Sequence, residues 1–252
     1  MRSPQGREAF RRYYESALAL NSDECRRLGA AARKAAAYLV IGVIEKDGGT
    51  LYCTVLFFGP DGALLGKHRK TMPTAMERLI WGFGDGSTLT VLDTSVGRLG
   101  AVICWENYMP LARYTMYAWG TQIYVAATWD CGQPWLSTLR HIAKEGRVYV
   151  IGCCIAMRKD DIPDSYSMKQ KYYAEMDEWI NIGDSAIVNP EGHFIAGPVR
   201  KQEEILYAEI DPRMVQGPKW MLDVAGHYAR PDVFELTVHT DVRRLMRVEE
   251  GS

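Results

Sequence analysis

The sequence predicts one α/β domain in which sheets and helices are layered, and three observations predict it. A chain of 252 residues with 47% hydrophobic content can bury a substantial core. Between residues 99 and 156, apolar runs of strand length alternate with segments of helical period, which is how α/β layers read in sequence. No internal repeat, low-complexity tract or linker divides the chain, so the domain is expected to run over 1–252.

The elements follow in order. Phe10, Tyr13, Tyr14, Ala17 and Leu18 fall at helical spacing, and Ser22 is placed to cap a second helix through about Ala37. YLVIGVI (38–44) and LYCTVLFF (51–58) read as a strand pair joined by the turn at Asp47-Gly48-Gly49. A further turn is expected at Pro60-Asp61-Gly62. From Lys67 to Ser87 no period survives, and the charges, Pro73 and glycines predict an ordered functional loop. LTVLDT (89–94) and LGAVICW (99–105) read as strands, and MPLARYTMYAWG (109–120) as a helix that Gly120 terminates. QIYVAATW (122–129), a helix near 136–146 and VYVIGCCIA (148–156) continue the alternation. The aperiodic stretch 158–182 predicts a surface insertion. SAIVNP (185–190), HFIAGP (193–198) and ILYAEID (205–211) then read as strands, followed by a last segment from Met214.

Composition excludes several functions. Thirty basic against thirty-one acidic residues give a net charge of -1, so no global field favours nucleic acid or an anionic membrane. The longest apolar run, 35–44, is too short to span a bilayer, and MRSPQGREAF is too charged for a secretory signal. A cytoplasmic protein with a small-molecule partner is expected. Six cysteines lack the spacing of a disulfide scaffold and read as reduced thiols. No CxxC, HExxH, GxGxxG or GxxxxGK[ST] occurs and the histidines are scattered, so neither a metal nor a cofactor is expected. Side chains must carry the chemistry.

Cys104 stands where a buried strand ends and a helix is expected to begin. Backbone N–H groups at such a start favour a thiolate and can hold an oxyanion; a buried cysteine packing as a small hydrophobe is the alternative. In KHRK (67–70), Lys70 beside a thiolate could stabilise developing charge or protonate leaving ammonia, whereas the run read alone is a solvated basic patch. Glu77 either orients Lys70 or pairs with Arg69 or Arg78 at the surface. Trp129 serves as a pocket wall or a core aromatic, and His141 with Glu145 either line the pocket or make an ordinary i, i+4 surface contact. His227, Arg230 and Asp232 read as ordering the C-terminal segment.

GKHRKTMPTAMERLIWGFGDGS (66–87) and GRLGAVICWENYMPLARY (97–114) resemble the lysine and cysteine signatures of nitrilases, and GDSAIVNPEGHFIAGP (183–198) and DVAGHYARPDVF (223–234) resemble later nitrilase segments. The resemblance runs along nearly the whole chain. It implies that Cys104 is the nucleophile, Lys70 the catalytic lysine and Glu77 the supporting glutamate. Trp105, Glu106 and Trp129 are the candidates for contact with the substrate. The implied fold is a four-layer α-β-β-α sandwich that pairs into homodimers or larger homo-oligomers. Trp105-Glu106 after the cysteine favours a nitrile, hydrolysed through a thioimidate and a thioester to acid and ammonia without a cofactor. A cyanide hydrolase and an amidase are the nearby alternatives. The family's early glutamate, in a motif of the form F-P-E, has no counterpart in this sequence. The opening strand, first helix and second strand of the family are therefore expected to be missing, and a catalytically silent fragment acting only in assembly is the other reading.

Overall fold

The computed structural model describes residues 3–166, 168–243 and Met246. The chain divides into two compact units, one from the chain up to Thr90 together with the chain from Leu236 onward, the other Val91–Glu235.

In the first unit, helices α1 (Pro4–Ser16) and α2 (Asp23–Ala35) precede an antiparallel sheet of β1 (Leu39–Asp47), β2 (Thr50–Phe58) and β3 (Leu64–Arg69), in the order β1-β2-β3. The Ser22 side chain accepts from the Cys25 N–H at 3.3 Å and starts α2 as expected. Cys25, Gly29 and Ala32, at spacings of four and three, form the buried stripe of α2. Cys25 and Ala32 pack in one cluster with Leu56 and Phe58 of β2. Asp47 pairs with Thr50, so Gly48-Gly49 is a two-residue hairpin turn, with Gly48 at φ 55. Ala17 and Leu18 lie beyond α1 rather than on it. Leu18 bridges to Glu45, because its backbone exchanges hydrogen bonds with Ile44 and Lys46 at 2.8 Å each.

The second unit holds a seven-stranded sheet built on the path β10-β9-β7-β6-β5-β4, with β8 paired to β9. The strands are β4 (Val91–Thr94), β5 (Gly97–Ile103), β6 (Ile123–Thr128), β7 (Tyr149–Cys154), β8 (Ala156–Arg158), β9 (Trp179–Val188) and β10 (Phe194–Arg200). β5, β6 and β7 are parallel, and helices α3 (Pro110–Ala118) and α4 (Gln133–Gly146) make their crossovers. Trp135, Leu136, Leu139, Ile142, Ala143 and Gly146 line one stripe of α4. That stripe joins Met116 and Tyr117 of α3 over Val102, Tyr124, Ala126 and Val150 of the sheet. Two short helices, α5 (Lys169–Tyr173) and α6 (Gln216–Lys219), complete the elements.

Three expectations are corrected. Lys67–Arg69 is not loop but the end of β3, with His68 fully buried, because His68, Arg69 and Lys67 find ladder partners in Val55, Thr54 and Leu56. The region 158–182 is not wholly an insertion: Ala156 and Met157 pair with Ile182 and Asn181, so β9 begins at Trp179. ILYAEID is not a strand. No ladder takes it in, and Ile205 and Tyr207 are 73% and 81% exposed; alternation makes a strand only where a neighbour supplies its hydrogen bonds.

Candidate active site

In the first unit Lys70 follows β3 directly. Its N–H donates to the Cys53 carbonyl and its own carbonyl accepts from Gly84, at 2.8 and 2.9 Å. Gly84 is required there, since a Cβ would sit 2.2 Å from the Arg69 carbonyl oxygen. The Lys70 side chain is 1% exposed and donates from Nζ to Glu77 Oε2 at 2.7 Å and to Thr74 Oγ1 at 3.2 Å. Glu77 Oε2 also accepts from the Thr74 N–H, closing a capping box on the 3-10 turn Ala75–Leu79. Lys70 and Glu77 are thus brought together as an ion pair, and the solvated patch expected of KHRK read alone is not formed. Its other cations are engaged as well: Lys67 and Arg69 donate to Glu45, a carboxylate 1% exposed in β1.

In the second unit Cys104 occupies the carboxyl end of parallel strand β5, the end at which open α/β sheets present ligands. Its backbone is left-handed at φ 54, although it is not glycine, and its thiol is partly exposed. The helix expected over 109–120 forms as α3 from Pro110, whose ring fixes the first helical φ, and between it and β5 Cys104–Tyr108 is a 3-10 turn. A full helix dipole is therefore not aimed at the thiol, which stands at the start of a single 3-10 turn.

The neighbours of Cys104 divide by burial. Trp105 is 52% exposed, and its indole N–H donates to Asp130 Oδ2 at 2.9 Å. Tyr108 donates to the same oxygen at 3.2 Å and stands edge-on to Trp105 and to buried Trp135. Burial raises the Tyr108 hydroxyl above its ordinary pKa, with the Asp130 charge adding to the effect and a Thr138 hydrogen bond opposing it. Glu106 is 1% exposed and accepts from the Ile103 N–H at 2.8 Å. Trp129 is 49% exposed at the end of β6, and its carbonyl accepts from Asn181.

Glu145 faces inward more than the i, i+4 reading implies. It accepts from Arg113 at 2.8 Å and from Tyr117 at 2.9 Å, while His141 lies 3.5 Å away at the surface. Burial pushes its carboxyl up, but Arg113 and Tyr117 outweigh that and hold it below the ordinary carboxylate value. Arg230 pairs with Asp232, and His227 stacks edge-on with Tyr228, so these residues order their segment locally.

Sequence reasoning missed Asn107, Tyr124, Arg113 and Asp130. Asp130 carried a usable signal, a polar residue just past a parallel strand. The other three lie inside elements that read as turn, strand and helix. Among the described residues no group of three or more His, Cys, Asp or Glu side chains could hold a metal ion, and no helix is long and apolar enough to cross a membrane.

A partly exposed thiol thus stands on a left-handed strand-to-turn corner of an α/β sheet, and comparison with known proteins gives the family. Residues 5–219 match the carbon–nitrogen hydrolase family, and the chain belongs to that family. It is 51% identical over 244 residues to nitrilase blr3397 of Bradyrhizobium diazoefficiens, covering 97% of this chain and 75% of that protein. It is 50% identical over 237 residues to an aliphatic nitrilase of Sinorhizobium fredii, covering 94% and 76%. Among solved structures, Nit3 of Saccharomyces cerevisiae, a member of branch 10 of the nitrilase superfamily, superposes with a TM-score of 0.69 at 24% identity over 90% of this chain and 79% of that one. That likeness shows the nitrilase-superfamily α/β fold.

Proposed function

We propose that this chain hydrolyses an organic nitrile to its carboxylic acid and ammonia, with Cys104 as nucleophile. The observation that carries the reading is the left-handed Cys104 at the end of β5, a non-glycine strain of about 1–3 kcal/mol that persists where function holds a group in place. Identity near 50% to nitrilases supports the substrate class.

The Cys104 sulfur forms a bond to the nitrile carbon while one π pair moves to nitrogen, which takes the thiol proton to give a thioimidate. Water adds to that carbon; the carbon–nitrogen bond breaks and ammonia leaves, giving a thioester. A second water adds, the carbon–sulfur bond breaks, and the acid departs as the thiol recovers its proton. Lys70 serves as the acid and charge stabiliser, with Glu77 orienting it; their 2.7 Å ion pair supports this. The Trp105 N–H acts as an oxyanion donor. Trp105 and Trp129 border the substrate, and Glu106 holds the turn that carries Cys104. No cofactor takes part.

One family match runs through both compact units, which supports a single hydrolase domain over 1–252. We place the protein in the cytoplasm as a homo-oligomer. Exposed Ile205, Tyr207, Trp220, Met221 and Phe234, all at least 67% accessible, supply apolar surface for self-association.

Ammonia release from a panel of aliphatic nitriles, aromatic nitriles, cyanide and amides tests the function, with Cys104→Ala as control. Release from nitriles that the substitution abolishes is expected. Ammonia from amides alone overturns the nitrile assignment, and release from cyanide alone makes the protein a cyanide hydrolase. Turnover surviving in Cys104→Ala removes the nucleophile.

A further inference from the structure

Cys104 does not hold its left-handed backbone unaided. Asn107, fully buried three residues on, donates from Nδ2 to the Cys104 carbonyl at 2.7 Å and to the Val102 carbonyl at 3.5 Å. The Val102–Ile103 peptide is held at its other end too, because the Ile103 N–H donates to Glu106. The peptide that follows Cys104 and the Val102–Ile103 peptide one residue before it are therefore both pinned by side chains of its own turn.

The Asn107 amide is itself oriented. Its Oδ1 accepts from the Tyr124 hydroxyl at 3.0 Å, and two carbonyls on the opposite side leave only the NH₂ to face them. Tyr124, on β6, is wholly buried, and burial pushes its hydroxyl far above the ordinary tyrosine value, so it stays a donor. The Asn107 carbonyl accepts from Arg113 at 2.8 Å, and Arg113 is anchored by Glu145. The chain of contacts thus runs from the Cys104 carbonyl to β6, α3 and α4.

A trans peptide is planar, with its C=O and N–H pointing in opposite directions. Fixing the Cys104 oxygen therefore fixes the direction of the Trp105 N–H. That N–H is among the first of a helical turn, whose donors have no partner within the turn. We infer that Asn107 and Tyr124 are positioning residues that aim the Trp105 N–H as the oxyanion donor for adducts formed on Cys104. The inference rests on the reading of Cys104 as nucleophile. Tyr124 acts through Asn107, and Asn107 acts through the peptide; neither touches the substrate.

An aldehyde tests this without relying on turnover. Butanal or benzaldehyde adds to the thiolate reversibly: the sulfur–carbon bond forms and the carbonyl π pair moves to oxygen, which takes the negative charge from sulfur and is the atom the Trp105 N–H would hold. Protection of Cys104 from iodoacetamide by the aldehyde, read by peptide mapping, gives the aldehyde affinity; the unprotected rate reports the thiol alone, since alkylation places no charge on an oxygen. In Asn107→Leu the aldehyde affinity should fall about 10²-fold, the cost of one oxyanion donor, and in Tyr124→Phe about tenfold. The unprotected alkylation rate should stay within about threefold of wild type in both, a split that general loosening of the fold would not produce. Aldehyde affinity within twofold of wild type in Tyr124→Phe, the milder substitution and the one that decides if Asn107→Leu does not fold, overturns the inference. So does a parallel loss of affinity and alkylation rate in folded protein. If neither aldehyde protects Cys104 in the wild-type protein, the nucleophile reading itself fails, and the inference with it.

Discussion

Replacing Glu45 with Gln should destabilise the first unit by about 3 kcal/mol at neutral pH, and the loss should fade in acid. Glu45 is 1% exposed, and its two oxygens accept from Thr54, from Lys67 and twice from Arg69, at 2.6–2.9 Å. Glutamine keeps the shape but removes the charge and turns an NH₂ toward cationic donors. Stranding the partners of a buried ion pair costs about 3–5 kcal/mol. The low end applies because the Arg69 and Lys67 side chains are 16% and 25% exposed and Arg69 keeps Asp47. In a chain of this length that is roughly 6–12 °C in Tm. Burial raises the Glu45 pKa, but hydrogen bonds from Arg69 and Lys67 outweigh it, so the folded value lies below the ordinary one. The unfolded chain therefore binds the proton first as pH falls. The carboxylate's contribution is complete above the unfolded value of about 4.3 and is lost as pH drops through the folded value. Urea unfolding followed by circular dichroism, at pH 7 and at several pH values below 5, should show a wide gap between wild type and Glu45→Gln that narrows in acid. A gap under about 0.5 kcal/mol at pH 7, or one that does not narrow, refutes the reasoning.

Two further outcomes follow from the same structure. Limited alkylation at pH 7 should modify Cys104 well before Cys25 or Cys154, both buried, whose thiols burial pushes up, that of Cys154 to about 12; peptide mapping that finds Cys25 or Cys131 labelled with Cys104 untouched would mean the site is not formed. Gly84→Ala should cost more than about 2 kcal/mol and lower ammonia release by disturbing the Lys70 backbone, because its Cβ would meet backbone rather than a movable side chain; unchanged thermal unfolding would show that the loop at Lys70 is looser than the geometry states.

Much of this architecture was legible because local pattern and tertiary context agree. Ser22 caps α2 as its residue type directs, Gly48-Gly49 turns the hairpin, and the alternation over 99–156 became β5, α3, β6, α4 and β7. What was not legible depends on partners far away in sequence. Lys67–Arg69 reads as charged loop because nothing local announces Glu45, 22 to 24 residues earlier, as the anion that lets these cations lie on a strand. ILYAEID has a strand's alternation but lacks a neighbour to pair with. At the site, Cys104, Lys70 and Glu77 carried local motifs, whereas Asn107 became visible only once Tyr124 and Arg113 were seen to fix it from 17 and 6 residues away.

The same distinction explains why the strained corner at Cys104 is stable. A left-handed non-glycine residue costs about 1–3 kcal/mol. Three hydrogen bonds, two of them buried, act on the Cys104–Trp105 and Val102–Ile103 peptides, from Asn107 to the Cys104 and Val102 carbonyls and from the Ile103 N–H to Glu106. A typical bond contributes about 0.5–1.5 kcal/mol net, so together they offset the strain. The offset exists only while the donors and acceptors stay buried and aligned, and that alignment comes from β6, α3 and α4 rather than from the turn. A short 3-10 turn has too little structure of its own to hold φ 54. The turn is therefore held by the packed second unit acting through one asparagine, and substitutions remote from Cys104 that tilt Tyr124 or Arg113 should be felt in the direction of the Trp105 N–H before they are felt in overall stability.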